Sequence, residues 1–204
     1  MKLIGLTGGI GMGKSKAAEI LAPYGLPIVD TDELAREIVA VGQPALDEIR
    51  KEFGPDILQE TGELDRRRLG RLVFNDSGKR RFLESILHPR IRALWQQQAA
   101  LWKQEDRPAG VVVIPLLFET DASKAFDLVI CVACSVRLER ERLSLRGWTN
   151  EEMDQRISSQ WPVEKKISLA NYVAWNESSV AVLAEQLKRI ISSVGLAVPP
   201  GQMP

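Results

Sequence analysis

The chain has 204 residues, of which 45% are hydrophobic and 26% are charged, proportions that are ordinary for a globular protein. This length accommodates one α/β domain with insertions, or a small core with a lid. The 27 basic and 27 acidic residues give a formal net charge of zero, which argues against a general nucleic-acid-binding protein. No apolar run approaches the roughly 20 residues that a membrane-spanning helix needs, so neither nucleic acid nor a membrane is expected as a partner.

A phosphate-binding pattern stands near the start of the chain. Gly8–Ser15 matches G-x-x-x-x-G-K-S and follows an apolar run that predicts a first strand at Lys2–Thr7, with a helix expected from Lys14 to about Leu21. In this pattern backbone N–H groups face a phosphate chain, the lysine reaches the β- and γ-phosphates, and the serine hydroxyl ligates Mg²⁺. A glycine-rich turn with a chance lysine does not explain all the fixed positions, so a nucleoside-triphosphate site is predicted, with Ser15 on the metal. A loop this early leaves no room for a signal peptide, and a cytoplasmic location is expected.

Strands and helices alternate along the rest of the chain, which predicts a mainly parallel sheet covered by helices on both faces. After a second strand at Pro27–Asp30, apolar residues recur at helical spacing, so Asp32 is expected to cap a helix. The stretch from 44 to 104 is expected to be almost wholly helical and is too long for one crossover, which predicts a helical insertion. Its helices are expected near Pro44–Phe53, Asp65–Phe74, Lys79–Leu87 and Pro89–Lys103.

The second half of the chain returns to the alternating pattern. Helices at Ser135–Arg146 and from a capping box at Thr149 to about Ser159 are polar enough to suit a lid. An apolar face from Val180 to Val194 predicts a last helix that ends at Gly195, followed by a loose tail. The remaining strands are expected at Val111–Ile114, Phe126–Ala133 and Tyr172–Trp175.

Three classes of protein carry such a loop: phosphotransferases, switch GTPases and ATPases coupled to mechanical work. The chain has neither the N-K-x-D nor the D-x-x-G pattern of a GTPase, and it lacks the L-S-G-G-Q signature of an ABC-type ATPase. The strand at Val111–Ile114 continues into Pro-Leu-Leu-Phe-Glu rather than into the aspartate of a Walker B element. Transfer of phosphate to a small acceptor is therefore the leading hypothesis.

Such a transferase needs an acid–base group near the acceptor hydroxyl. Asp30 and Asp32 follow the strand that is expected beside the loop, at the edge of the sheet where α/β proteins bind ligands. A carboxylate there accepts the hydroxyl proton or holds Mg²⁺ through water. Asp32 is the predicted base, with a plain helix cap as its alternative role. Asp30 is either a partner in the metal's water shell or a structural acceptor.

Several sequence elements, taken in order, resemble the dephospho-CoA kinase family. They are Gly5–Ser15, Asp30-Thr-Asp32, Ala35-Arg36, Gly62–Arg67, His88-Pro89, Val113–Glu119, Arg142-x-x-x-Arg146, Gln160 and Asn176, and they keep the family's approximate spacing over residues 1 to about 180. The resemblance implies transfer of the ATP γ-phosphate to the ribose 3′-hydroxyl of dephospho-CoA, the last step of coenzyme A synthesis. It also implies an α/β fold of the P-loop NTPase kind, a three-layer α/β/α core with a helical substrate-binding insertion and a lid.

The same resemblance implies domain boundaries and partners. The core is expected to comprise 1–32, 106–137 and 169–204, the helical acceptor domain 33–105, and the lid 138–168. ATP and dephospho-CoA are the expected substrates and Mg²⁺ the expected cofactor, and no obligate protein partner is implied.

Site residues are carried over position by position. Arg142 matches the family's lid arginine and is expected to clamp the ATP phosphates as charge develops; the alternative is a solvated helix face paired with Glu139 and Glu141. Asn176 is expected to meet the adenine ring, and Asp32, Lys14 and Arg142 form the expected catalytic set. The expected ATP-binding residues are Gly9, Gly11, Met12, Gly13, Lys14, Ser15, Lys16, Arg142 and Asn176. The expected acceptor-binding residues are Asp32, Arg67, His88, Pro115, Leu116 and Leu117.

A few positions depart from the family pattern. Lys16 stands where a threonine usually follows the loop serine, and Thr31 replaces the usual alanine between the aspartates. Asn171 and Trp175 replace residues that are commonly acidic. These changes bear on ATP affinity and nucleotide preference rather than on the reaction. Two other functions stay open: a small P-loop kinase acting on a nucleoside or nucleotide, and a regulator that binds ATP without turnover.

Overall fold

A computed structural model of the protein describes residues 1–74 and 76–198. These residues form two compact units, which are described separately below. The first comprises Met1–Val29 and the chain from Ala99 onward, and the second comprises Asp30–Gln98. The domain boundaries expected from the sequence remain predictions.

A five-stranded sheet organises the described part of the first unit. Its strands are β1 (Lys2–Gly8), β2 (Ile28–Asp30), β3 (Ala109–Val113), β4 (Leu128–Ala133) and β5 (Tyr172–Trp175). Their spatial order is β2-β3-β1-β4-β5, and β1 pairs in parallel with both β3 and β4, as β4 does with β5. Strand β3 therefore lies between β2, the strand that leads to Asp30, and β1, the strand that leads into the loop.

Helices cover both faces of this sheet. The first unit contains α1 (Lys14–Leu21), α6 (Val136–Leu145), α7 (Asn150–Ser158), α8 (Val163–Leu169) and α9 (Val180–Ser193). Successive side chains of β1 point to opposite faces of the sheet. On one face, Ile4 and Leu6 share an apolar core with α1 and α9. On the opposite face, Thr7 Oγ donates to the Pro115 carbonyl at 3.3 Å, and α8 packs on this side. The predicted three-layer α/β/α class is therefore confirmed.

The second unit is helical and has its own core. It contains α2 (Thr31–Glu37), α3 (Pro44–Phe53), α4 (Arg66–Phe74) and the first part of α5 (Ser77–Gln104). Ile49 and Ile57 are fully buried at the centre of a cluster that also includes Leu69 and Ile86. Burial of such aliphatic side chains, at about 1.5–3 kcal/mol each, gives this unit a source of stability of its own.

Two expectations about the helices are wrong. The helices expected at Lys79–Leu87 and Pro89–Lys103 are one continuous helix, α5, with Pro89 inside it. Asp32 does not cap α2: the cap is Asp30, whose carboxylate accepts from the Asp32 N–H at 2.8 Å. By contrast, the capping box at Thr149 is confirmed, since Thr149 and Glu152 each bond the backbone N–H of the other.

In the described ranges, no helix combines the length and hydropathy that crossing a membrane requires. The last helix ends at Ser193, and Gly195 follows with a φ of 78°, as the sequence predicts for a helix end. The tail expected to be loose lies largely outside the described residues, from position 199 onward.

Candidate active site

The loop after β1 is shaped by glycines at which a side chain is impossible. Gly13 has a φ of 104° and serves as the N-cap of α1, with no side chain capping the helix. A Cβ at Gly13 would collide with the side-chain amide of Asn176, and one at Gly8 would collide with the Val132 carbonyl. The backbone therefore passes close to its neighbours and leaves the first N–H groups of α1 without a capping side chain. This is the geometry that binds a phosphate chain.

Lys14, Ser15 and Lys16 begin α1 and differ in their surroundings. Lys14 Nζ donates to the carbonyls of Gly8 at 3.1 Å and Gly9 at 2.9 Å, so its ammonium group stays over the loop. Ser15 is exposed in the same helical turn, where a hydroxyl can ligate a metal ion. Lys16 is exposed and pairs with Glu19 on the surface of α1. Its ammonium group is thus engaged along the helix.

Arg142 and Asn176 meet at the loop. Asn176 is buried, and its side-chain amide donates to the Met12 carbonyl at 2.9 Å, which fixes the loop from one side. Arg142 Nη2 donates to the Asn176 carbonyl at 3.0 Å. Its other terminal nitrogen, Nη1, is buried without an acceptor among the described residues and lies 3.9 Å from the Cβ position of Gly13. The structure thus brings together four of the residues expected to bind ATP: Met12, Gly13, Arg142 and Asn176.

A buried ion pair that the sequence reasoning missed joins α8 to the segment after β3. Lys166 is fully buried, and its Nζ lies 2.8 Å from Glu119 Oε1 and 2.7 Å from the Pro115 carbonyl. The same Glu119 oxygen accepts from the Trp161 N–H at 2.9 Å, and the neighbouring Gln160 accepts from the loop N–H of Ile10 at 3.2 Å. Through these bonds the segment between α7 and α8 is tied to the phosphate-binding loop.

Replacing Lys166 by methionine should destabilise the protein by about 3–5 kcal/mol, because the Glu119 carboxylate would be left buried without its cation. The matched control is Lys165→Met. Lys165 is exposed and stacks over the Trp161 ring at 3.2 Å, so its loss should cost about 1 kcal/mol at most. Chemical denaturation of both variants measures the difference. Equal losses of unfolding free energy in the two variants would show that the buried ion pair contributes no more to stability than the exposed lysine does.

Glu139 has a different environment from the solvated helix face considered in the sequence reasoning. It is only 4% exposed, and its Oε1 lies 3.3 Å from the Cβ position of Gly9 in the loop. Burial raises the pKa of this carboxyl, while the charges of Arg140 and Lys14 lower it in part. The sequence gives no signal for the burial of Glu139, since it stands among exposed charged residues such as Arg137 and Glu141. Arg140 pairs with Asp154, and Arg137 with Glu141.

Three of the expected acceptor-side residues, Asp32, Arg67 and His88, lie in helices of the second unit. Asp32 is exposed in the first turn of α2. Arg67 is exposed in the first turn of α4 and lines a pocket of about 470 Å³. Asp32 is not among the residues lining that pocket.

His88 does not lie in a turn between helices, which corrects the expectation for this residue. It is half-buried within α5, and Pro89 follows it without ending the helix. Proline cannot donate to the carbonyl four residues earlier. The side chain of Arg90, the residue after the proline, bonds to the helix at this point. Its Nη1 donates to the Ile86 carbonyl at 2.8 Å, and its Nη2 donates to Glu48 at 2.6 Å.

The segment Pro115–Leu117 belongs to the first unit and follows β3. Pro115 and Leu116 are half-buried, and the Pro115 carbonyl accepts hydrogen bonds from Thr7 and Lys166. Leu117 is fully buried, and its Cδ1 lies 2.6 Å from the Cβ position of Gly5. The Leu117 side chain therefore packs in the core, and only its backbone is left to act in a site.

A parallel sheet that leads through a G-x-x-x-x-G-K-S loop into a helix, with an arginine and an asparagine held against that loop, defines a P-loop kinase. The chain belongs to the dephospho-CoA kinase family, since the family described as CoaE, dephospho-CoA kinase, matches residues 2–182. A dephospho-CoA kinase of Bdellovibrio bacteriovorus is 40% identical over 191 residues, covering 94% of this chain and 95% of its own. That of Bacillus cereus is 40% identical over 94% of this chain and 96% of its own.

Solved structures agree with this family. The crystal structure of TT1252 from Thermus thermophilus superposes with a TM-score of 0.82 at 32% identity, over 96% of this chain and 98% of that one. Dephospho-CoA kinase from Campylobacter jejuni superposes with a TM-score of 0.70 at 28% identity, over 94% and 96% of the two chains. A shikimate kinase from Acinetobacter baumannii, at 15% identity and a TM-score of 0.55, shares the fold.

Proposed function

We propose that the protein transfers the γ-phosphate of ATP to the ribose 3′-hydroxyl of dephospho-CoA, yielding coenzyme A and ADP. Membership in the dephospho-CoA kinase family carries this proposal. The loop geometry supports a triphosphate donor, because Gly13 leaves the first N–H groups of α1 uncapped and Lys14 stays over the loop.

ATP would lie along Gly9, Gly11, Met12 and Gly13, with Lys14 and Arg142 as the cations that meet its negative charge. The buried, unpartnered Nη1 of Arg142 beside Gly13 is the contact best suited to a phosphate oxygen. Asn176 acts on ATP through the loop that its amide holds, and a further contact with the adenine ring stays a prediction. Lys16 contributes through its backbone, since its side chain pairs with Glu19.

Magnesium fits this arrangement through the exposed hydroxyl of Ser15 in the first turn of α1. Mg²⁺ is usually held in such sites by one or two protein oxygens together with substrate phosphates and water. When bound, it neutralises charge on the phosphates during transfer. The residues of the chain orient the donor and exclude water.

On the acceptor side, Asp32 is proposed as the base that takes the proton of the 3′-hydroxyl as the hydroxyl oxygen attacks phosphorus in line. Asp32 is exposed to solvent in the first turn of α2. Arg67, His88 and the backbone of Pro115–Leu117 are proposed to bind the rest of the acceptor. A cytoplasmic location and the absence of an obligate protein partner complete the proposal.

A panel of acceptors tests this function. Formation of ADP from ATP with Mg²⁺ is measured with dephospho-CoA, AMP, dCMP and no acceptor. We expect ADP to form with dephospho-CoA and to stay at background in the other three reactions. Turnover with a nucleotide acceptor would indicate a different small-molecule kinase, and binding of ATP without turnover would indicate a regulator.

A further inference from the structure

An open pocket in the second unit carries an excess of positive charge. It has a volume of about 470 Å³, and the side chains of Arg36, Arg66 and Arg67 line it. Within the described residues, none of these three arginines takes part in an ion pair, whereas the next residue, Arg68, lies 3.8 Å from Asp56. All three are exposed, so their guanidinium groups face solvent in or around the pocket.

The two carboxylates on the pocket wall have other partners. Asp65 Oδ1 accepts from the backbone N–H of Arg68 at 2.9 Å and so supports the start of α4. Glu63 Oε2 accepts from the Thr61 hydroxyl at 3.4 Å. The three arginines of the lining carry a charge of +3 and its two carboxylates, Glu63 and Asp65, a charge of −2, so the net charge of the lining is +1. Neither carboxylate pairs with an arginine of the pocket.

The positions of these arginines are electrostatically unfavourable for the chain alone. Arg66 and Arg67 occupy the first turn of α4, the end of a helix where the macrodipole disfavours cations. Burial lowers the pKa of the Arg66 guanidinium, and the charge of Arg36 lowers it further, which places two like charges near each other. A bound anion would reverse both penalties, because it would meet a helix N-terminus and several cations at once.

We propose that this pocket binds the diphosphate of dephospho-CoA, with Arg36, Arg66 and Arg67 as its ligands. This inference rests on the proposed function and extends it, since it assigns a part of the acceptor that is remote from the reacting 3′-hydroxyl. Arginine is the residue best suited to the task, because its planar fork donates two parallel hydrogen bonds to phosphate oxygens. The apolar side of the pocket, formed by Val39 and Leu64, suits the start of the pantetheine arm.

Arg66→Gln and Arg36→Gln test the proposal, with Arg68→Gln as the matched control outside the pocket. Each pocket variant should raise the KM for dephospho-CoA about 10–100-fold, the change expected when a charge-assisted hydrogen bond to phosphate is lost. The kcat at saturation should change little, because the contact is remote from the transferred phosphoryl group. Melting temperatures should equal that of wild type, since neither arginine has an ion-pair partner to lose. Arg68→Gln should keep the wild-type KM.

Binding measurements separate this subsite from the proposed function. Calorimetric titration with dephospho-CoA should show the same loss of affinity in the pocket variants, whereas inhibition by adenosine, which lacks the diphosphate, should be unchanged at saturating ATP. Wild-type turnover of dephospho-CoA combined with an unchanged KM in both variants would overturn the subsite and leave the function intact. A wild-type protein that does not phosphorylate dephospho-CoA would overturn the function itself. If the variants bound adenosine and dephospho-CoA with equally reduced affinity, the arginines would not be ligands of the diphosphate.

Discussion

Replacing Asp32 by asparagine should lower kcat by roughly 10²–10⁴-fold, the range expected when a general base is removed. The amide keeps the size of the side chain but cannot accept the proton of the 3′-hydroxyl. Affinity for dephospho-CoA, measured by calorimetry, should stay close to that of wild type. Single-turnover kinetics at saturating ATP and acceptor measure the chemical step.

Two neighbouring variants are controls for Asp32→Asn. Glu33→Gln removes a carboxylate from the next position of the same helical turn and should keep the wild-type kcat. Asp30→Asn keeps an acceptor at the cap of α2 and should therefore change stability by well under the roughly 1 kcal/mol that loss of a cap costs. A kcat for Asp32→Asn within a factor of three of wild type would remove this residue from the role of base.

Replacing Arg142 by alanine should lower kcat by roughly 10²–10³-fold, as loss of a preorganised donor to the developing charge does in other enzymes. The expectation rests on the buried Nη1, which lies near Gly13 without an acceptor in the described part of the chain. Arg142→Lys keeps the charge but not the planar fork, so it should recover only part of the activity. Steady-state kinetics for ATP and acceptor measure both variants.

The fold stability of the Arg142 variants decides between a catalytic and a structural role. The bond from Nη2 to the Asn176 carbonyl is one contact that alanine removes from the resting protein, and such a bond contributes about 1 kcal/mol. Arg140→Ala is the control, since Arg140 pairs with exposed Asp154 on the helix surface. A loss of stability large enough to explain the loss of turnover would assign Arg142 a structural role.

The sheet and the loop could be predicted from the sequence because both are encoded locally. Strand β1, the glycines of the loop and the first helix follow one another without interruption, and the capping box at Thr149 is a four-residue signal that the structure confirms. Buried strands such as β3 stand out as short apolar runs. The family resemblance was also readable, because its elements are short, ordered and spread over most of the chain.

Contacts between distant segments could not be read in this way. Lys166 appears in a polar stretch that suits an exposed helix, yet it is fully buried because Glu119 and the Pro115 carbonyl, far away in sequence, receive its charge. The bond from the Asn176 amide to the Met12 carbonyl, distant in sequence, was not predicted, and the expected contact of Asn176 with the adenine ring stays a prediction. At Pro89 the usual rule that proline ends a helix is overridden, with Arg90 bonded to the Ile86 carbonyl and to Glu48.

The position of the transferred phosphate is the most direct measurement on this protein. Dephospho-CoA and ATP are incubated with the enzyme and Mg²⁺, and the product is followed by phosphorus NMR alongside the ADP formed. We expect one new phosphomonoester, at the ribose 3′-oxygen, in an amount equal to the ADP. ADP without a new phosphomonoester, a phosphate on another hydroxyl, or no reaction would each contradict a dephospho-CoA kinase.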